Sequence, residues 1–183
     1  MPIRDLYIIG NGFDLHHQVP CRYKDFHLWL EANEHFDTLN AIDKIYSATP
    51  EWWNDFEHGL GEPDIVDNAQ QKFNECLNDF MKHDKVFSSA RDMSKVAYES
   101  DEEVVNMKAC LDKSFRKWIE TLPLPNPSCK LPLCRDGFFI NFNYTDTLER
   151  IYNIPSEQIW HIHGFLRESS RQLVIGHRNQ GII

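Results

Sequence analysis

"LYIIGNGFDLHHQVP", residues 6–20, opens on four apolar or aromatic residues and then drops into Gly10-Asn11-Gly12. An apolar run with two isoleucines, closed by glycines, predicts a short buried strand over Leu6–Ile9. A strand followed by Gly-x-Gly and then a helix turns backbone N–H groups toward an anion, usually a phosphate. The third glycine of the dinucleotide fingerprint is missing, because Leu15 stands in its place. Asp14 adds a negative charge beside the turn. The same stretch has a second reading, in which Asp14 caps the next helix and the glycines only tighten the bend.

From about Tyr23 to Glu120 the pattern is helical. "YKDFHLWLEAN" puts Tyr23, Phe26, Trp29 and Leu30 near one face, and "NAQQKFNECLNDFMKHDKVF" repeats the spacing with Phe73, Cys76, Leu77, Phe80 and Met81. Pro50, Gly59, Gly61 and Pro63 mark turns between them. "MKACLDKSFRKWIETL" carries Leu111, Phe115, Trp118 and Ile119 on one stripe and stops before the proline-rich connection at 123–132. Strands then return: Phe138–Phe142, "QIWHIHG" and "QLVIGH", with "DTLERIYNI" as a short helix after the first. Strands separated by helices predict an α/β fold, a Rossmann-like parallel sheet in one domain over 1–183, with a large helical insertion at about 36–120 after the first strand-helix unit. The few strands predict a C-terminally shortened version of a longer doubly wound sheet.

Composition narrows the function. The chain has 183 residues and a net charge of −9, from 28 acidic against 19 basic side chains. That balance disfavours a broad nucleic-acid-binding surface. Neither a signal peptide nor an apolar run of membrane-spanning length is visible, which predicts a cytoplasmic protein with no membrane partner. Five cysteines without a CxxC pair predict reduced, packing thiols and no structural zinc.

Two further islands carry chemistry. Asn141, Asn143, Tyr144 and Thr145 follow a strand, where open α/β sheets bind their ligands, and an Asn that donates and accepts suits a ribose or an amide. Turn chemistry is the competing reading, with Thr145 or Asp146 capping the next helix. In "WHIHGF", His161 and His163 point to one side of a strand and Gly164 follows. His163 is the candidate general base, and His161 is expected to be a hydrogen-bonded core histidine. His16 and His17 are expected in solvent, and His177 lies at another strand end.

These islands, taken in order, resemble the AbiH family of bacteriophage abortive-infection proteins. The residues that carry the likeness are "IIGNGFDLHHQVPCRYKDF" (8–26), "WWNDFEHGL" (52–60), "FFINFNYTDTLERIY" (138–152) and "HIHG" (161–164). That family is in turn distantly similar to sirtuin-like NAD-consuming domains. This further likeness implies catalytic roles for His163 and Asn143. It also implies NAD-binding roles for Gly10, Asn11, Gly12, Asp14, Pro20, Asn141, Tyr144, Thr145 and Gly164, without a metal. It departs from sirtuins at Asp14, where they have a serine, at Thr145, where they have an aspartate, and in lacking a zinc module, so protein deacetylation is not implied. The implied function is defence by binding and hydrolysing NAD or a related dinucleotide, with Asp14 or Glu57 stabilising the cationic transition state and a phage or host protein as trigger. A nucleotide- or ADP-ribose-sensing protein without catalysis is the alternative, followed by a nuclease or RNA-binding toxin.

Overall fold

The computed structural model describes residues 5–46, 48–60, 86–165 and 173–175, with the backbone alone over 86–101. In chain order the elements are β1 (Leu6–Ile9), α1 (Asn11–His16), α2 (Tyr23–Ala32), α3 (Phe36–Tyr46), α4 (Phe56–Gly59), α5 (Val86–Thr121), β2 (Phe138–Asn141), α6 (Thr147–Tyr152) and β3 (Ile159–His161). A 3-10 turn at Trp52–Asp55 leads into α4, and others lie at Pro127–Cys129 and Ser156–Gln158. Two compact units result. One comprises Met1–Trp29 and Phe115–Ile175, the other Leu30–Ser114 and Gly176–Ile183.

The first unit holds the sheet. β1, β2 and β3 are parallel in that order, with Leu6 opposite Phe138, Ile9 opposite Asn141, and Asn141 opposite His161. Because side chains alternate across a strand, this register puts Ile9, Phe139 and Ile159 on one face. They meet Phe13 of α1 and Leu148, Ile151 and Tyr152 of α6 in a continuous core. Phe139 and Leu148 are fully buried there.

The other face differs from the expectation of a buried first strand. Leu6 is 58 % and Ile8 70 % exposed, and Trp160, beside Ile140 on β3, is 54 % exposed. The apolar run of β1 therefore reads as buried on both sides in sequence, whereas among the described residues α1 and α6 pack on the core from one face. β2 ends at Asn141, one residue earlier than expected. Of the fourth strand expected in "QLVIGH", 173–175 are described and are not in a strand, although the Val174 N–H donates to the His163 carbonyl at 2.9 Å. Its remaining residues lie outside the described ones, as does most of the helix expected over 68–87.

α5 buries the stripe that its spacing predicts: Leu111, Phe115, Trp118 and Ile119 are all less than 8 % exposed. In the first unit Phe115 meets Phe26 edge-on at 5.2 Å and Tyr144 at 4.9 Å, and Phe26 packs on Trp118 at 5.0 Å. Such edge-to-face contacts follow the ring quadrupoles and add to burial. These aromatic contacts anchor the residue next to Asn143.

The second unit is helical. α3 buries Ala41, Ile42, Ile45 and Tyr46, and its Thr38 hydroxyl bonds that of Ser114 at 2.7 Å. The "WWNDFEHGL" stretch forms an aromatic cluster in which Trp53 stacks on Phe56 at 5.3 Å. Gly59 is a packing glycine, since a Cβ there would overlap the Trp52 ring. Glu57 belongs to this unit.

Candidate functional site

The glycine turn sits at the C-terminal end of β1. Gly10 occupies the N-cap position of α1 with φ −125° and ψ −175°, an extended conformation open to any residue. Gly12 lies inside the helix. Among the described residues, a Cβ added at either would meet nothing within 4 Å. Neither a left-handed backbone nor a neighbouring protein atom therefore requires glycine here. The turn presents bare backbone to open space.

Asp14 is not the cap of this helix, because it sits in its fourth position. Its carboxylate is 1 % exposed and turns inward, accepting hydrogen bonds from the Thr145 hydroxyl at 2.5 Å and the Thr147 hydroxyl at 2.6 Å. Burial raises its pKa above 3.8, opposed by the hydrogen bonds of Thr145 and then Thr147. Asp14 thus braces the glycine helix against the start of α6. Thr145 takes part in this brace and is half-buried. Asp146 does stand at the N-cap of α6, but its carboxylate pairs with Arg150 at 2.6 Å instead of capping.

The loop after β2 closes onto the same turn. Asn141 is 2 % and Asn143 6 % exposed. The Asn143 N–H donates to Asn141 Oδ1 at 3.0 Å, an Asx-type turn, and the Asn143 side-chain amide donates to the Gly10 carbonyl at 3.1 Å. Gly10, Asn141 and Asn143 are therefore joined at the carboxyl ends of β1 and β2.

Beyond β3, the His163 ring packs edge-on against Phe142 at 5.6 Å and against Tyr144 at 5.7 Å, the residues on either side of Asn143. Gly164 has φ 90°, a region that L side chains avoid, so its place after His163 has a backbone reason. His161 is the hydrogen-bonded histidine expected: its ring meets Asn141 Nδ2 at 3.4 Å and Glu149 Oε1 at 3.0 Å. Asn11 faces Cys21, whose thiol donates to Asn11 Oδ1, and burial pushes that thiol up to about 12. Pro20 is exposed ahead of α2.

His16 is exposed, as expected, with Nε2 at 2.9 Å from the Cys129 carbonyl. His17 corrects the expectation of solvent exposure, for it is fully buried. It lies one helical turn after Phe13, on the apolar face. Its Nδ1 is 2.7 Å from the Phe13 carbonyl and its Nε2 2.9 Å from the Tyr152 hydroxyl, which itself accepts from the Leu131 N–H at 2.7 Å. Carbonyls only accept, so Nδ1 carries a proton, and in the neutral ring the Tyr152 hydroxyl donates to Nε2. The sequence carries no mark of a site role at Tyr152, Thr147 or Glu149. The i, i+4 spacing from Phe13 to His17 was a legible signal for His17, whereas the other three show their roles only through partners distant in sequence.

A cavity of about 270 Å³ adjoins this region, lined among others by Val19, Leu122, Pro125, Tyr144, Thr145 and Arg150. Tyr144 and Thr145 thus face it, while the glycine turn, Asn143 and His163 do not line it. His177 lies outside the described residues. Among the described residues no group of three or more His, Cys, Asp or Glu side chains is arranged to hold a metal ion, and no helix is long and apolar enough to cross a membrane. Cys21, Cys110, Cys129 and Cys134 carry free thiols.

Residues 6–182 match the family model described as bacteriophage abortive infection AbiH. Neither the curated proteins nor the solved structures yield a match.

Proposed function

Since the chain belongs to the AbiH family of bacteriophage abortive-infection proteins, we propose that it serves that defence role by binding NAD or a related dinucleotide and cleaving its nicotinamide–ribose bond. The observation that supports this reading is the glycine turn. Two glycines that neither backbone conformation nor protein packing requires leave the main chain approachable, beside a side chain, Asn143, already committed to the Gly10 carbonyl. Backbone N–H groups at a glycine turn of this kind suit a pyrophosphate.

In this reading the Gly10–Gly12 backbone takes the pyrophosphate, and the carbonyl oxygen of the Asn143 side chain, whose amide nitrogen is engaged, accepts from the ribose. Water attacks the ribose C1′ as the bond from C1′ to the nicotinamide nitrogen breaks. The products are nicotinamide and ADP-ribose, and the proton lost by water goes to His163. Asp14 has no direct part, because its carboxylate is turned inward to Thr145 and Thr147. It positions the helix that carries the turn.

The test is nicotinamide release from NAD by the purified chain. Turnover that falls by about 10²–10⁴-fold in His163→Ala supports a general base there, and loss in Asn143→Ala places the ribose. Binding without release moves the reading to a nucleotide sensor. Neither binding nor release ends it.

A further inference from the structure

Five residues from five places in the first unit form one hydrogen-bonded line. Glu149 Oε1, on α6, lies 3.0 Å from His161 Nε2 on β3, and His161 Nδ1 lies 3.4 Å from Asn141 Nδ2 at the end of β2. Asn141 Oδ1 accepts from the Asn143 N–H at 3.0 Å, and the Asn143 side-chain amide reaches the Gly10 carbonyl at 3.1 Å. The line runs from a helix, across the carboxyl ends of the strands, to the glycine turn.

Its polarity can be read from one end. A backbone N–H only donates, so the Asn143 N–H fixes which atom of the Asn141 amide is oxygen. The Asn141 NH₂ then faces His161, whose Nδ1 must offer a lone pair. The ring proton consequently sits on Nε2 and is donated to the Glu149 carboxylate. Every link agrees with the next, and a proton on Nδ1 would set two donors against each other. His161 and Glu149 have side chains only 11 % and 15 % exposed, so water is poorly placed to replace either link.

We infer that Glu149 and His161 are positioning residues for the proposed nucleotide site: they hold Asn141 in one orientation, and through it set the Asn143 side chain on the Gly10 carbonyl. Nothing in the local sequence marks Glu149 for this, since it is one acid on a short helix. The inference rests on the reading of the glycine turn as that site, and its tests separate the two.

The first test needs no nucleotide. In protein labelled with ¹⁵N-histidine, long-range proton–nitrogen correlations, assigned with His161→Gln, should show His161 protonated at Nε2 and bare at Nδ1. Asn141→Asp puts a carboxylate oxygen opposite Nδ1 and should bring a proton onto that nitrogen. Glu149→Ala should leave the Nε2 tautomer, which the Asn141 NH₂ still selects, but should speed hydrogen exchange of the Asn143 side-chain amide, while Glu149→Gln, whose amide oxygen still accepts from Nε2, should restore its protection. A wild-type His161 protonated at Nδ1, or an Asn143 amide whose exchange is unchanged in Glu149→Ala, overturns the line.

The second test uses NAD as the titrant in calorimetry. Glu149→Ala should weaken binding by about three- to tenfold, the worth of one net hydrogen bond, with recovery in Glu149→Gln. Unchanged affinity in Glu149→Ala overturns the positioning role. A wild type that shows the Nε2 tautomer and a protected Asn143 amide, but no NAD binding, upholds the line and removes the NAD reading alone.

Discussion

Gly12 shows how one residue separates a structural demand from a functional one. Within a helix, glycine is less favourable than alanine by about 0.5–1 kcal/mol, and among the described residues nothing compensates, since a Cβ at Gly12 meets no atom of theirs within 4 Å. Gly12→Ala should therefore raise stability by about that amount in urea unfolding while weakening NAD binding. A variant that is more stable and binds equally well would show that the turn is not a ligand contact. Asp14 makes a second residue-scale prediction. Its pKa is raised in the folded chain, chiefly by burial, so between 3.8 and that raised value the folded state binds more protons than the unfolded one. Stability from this group is then fully present below 3.8 and is lost as pH rises through the folded pKa. Unfolding midpoints compared across pH should show the wild type gaining on Asp14→Asn as pH drops from neutrality toward about 4.

Between elements, a second polar tie besides Asp14 is the Tyr152 hydroxyl, which links α6 to His17 at the end of α1 and to Leu131 in the proline-rich connection. Tyr152→Phe keeps the ring packing against Phe13 but leaves the buried His17 nitrogen and the Leu131 N–H without this partner. The expected loss is about 1–3 kcal/mol in denaturant unfolding, and a change below a few tenths would show that the tie is replaced by water. The helical stripes were legible in sequence because the 3.6-residue period of α5 places Phe115, Trp118 and Ile119 together whatever they pack against. The i, i+4 spacing from Phe13 puts His17 on the apolar face of its helix, but a histidine beside another histidine reads as polar, and its hydrogen-bond partner Tyr152 lies 135 residues away.

For the molecule as a whole, the sheet is built one-sided among the described residues, and mutations on its two faces should differ sharply. Phe139→Ala removes a fully buried ring from the central strand and should cost about 3–5 kcal/mol. Ile8→Thr, on the face where Ile8 is 70 % exposed, should stay within about 0.5 kcal/mol. Equal losses at the two positions in matched unfolding curves would show that the Ile8 face is covered in solution. The alternation that assigns these faces is a property of any strand. Which face receives α1 and α6 is not, because an apolar residue at every position of β1 permits either.

The order of the three described strands and of the helices between them, the Gly-x-Gly turn after the first strand, the Asn-rich loop after β2 and the family to which they belong are legible in the chain before it folds, whereas the strand expected at "QLVIGH" is not found at 173–175. These are local signals, carried by periodicity, breakers and short motifs. The packed fold is what turns Asp14 inward to two threonines, makes His17 a buried hub and brings Glu149, His161 and Asn141 together at Asn143. Hydrogen bonds of that kind join residues whose spacing in the chain carries no periodicity, and the parallel register that brings the strand ends together is set by the folded core.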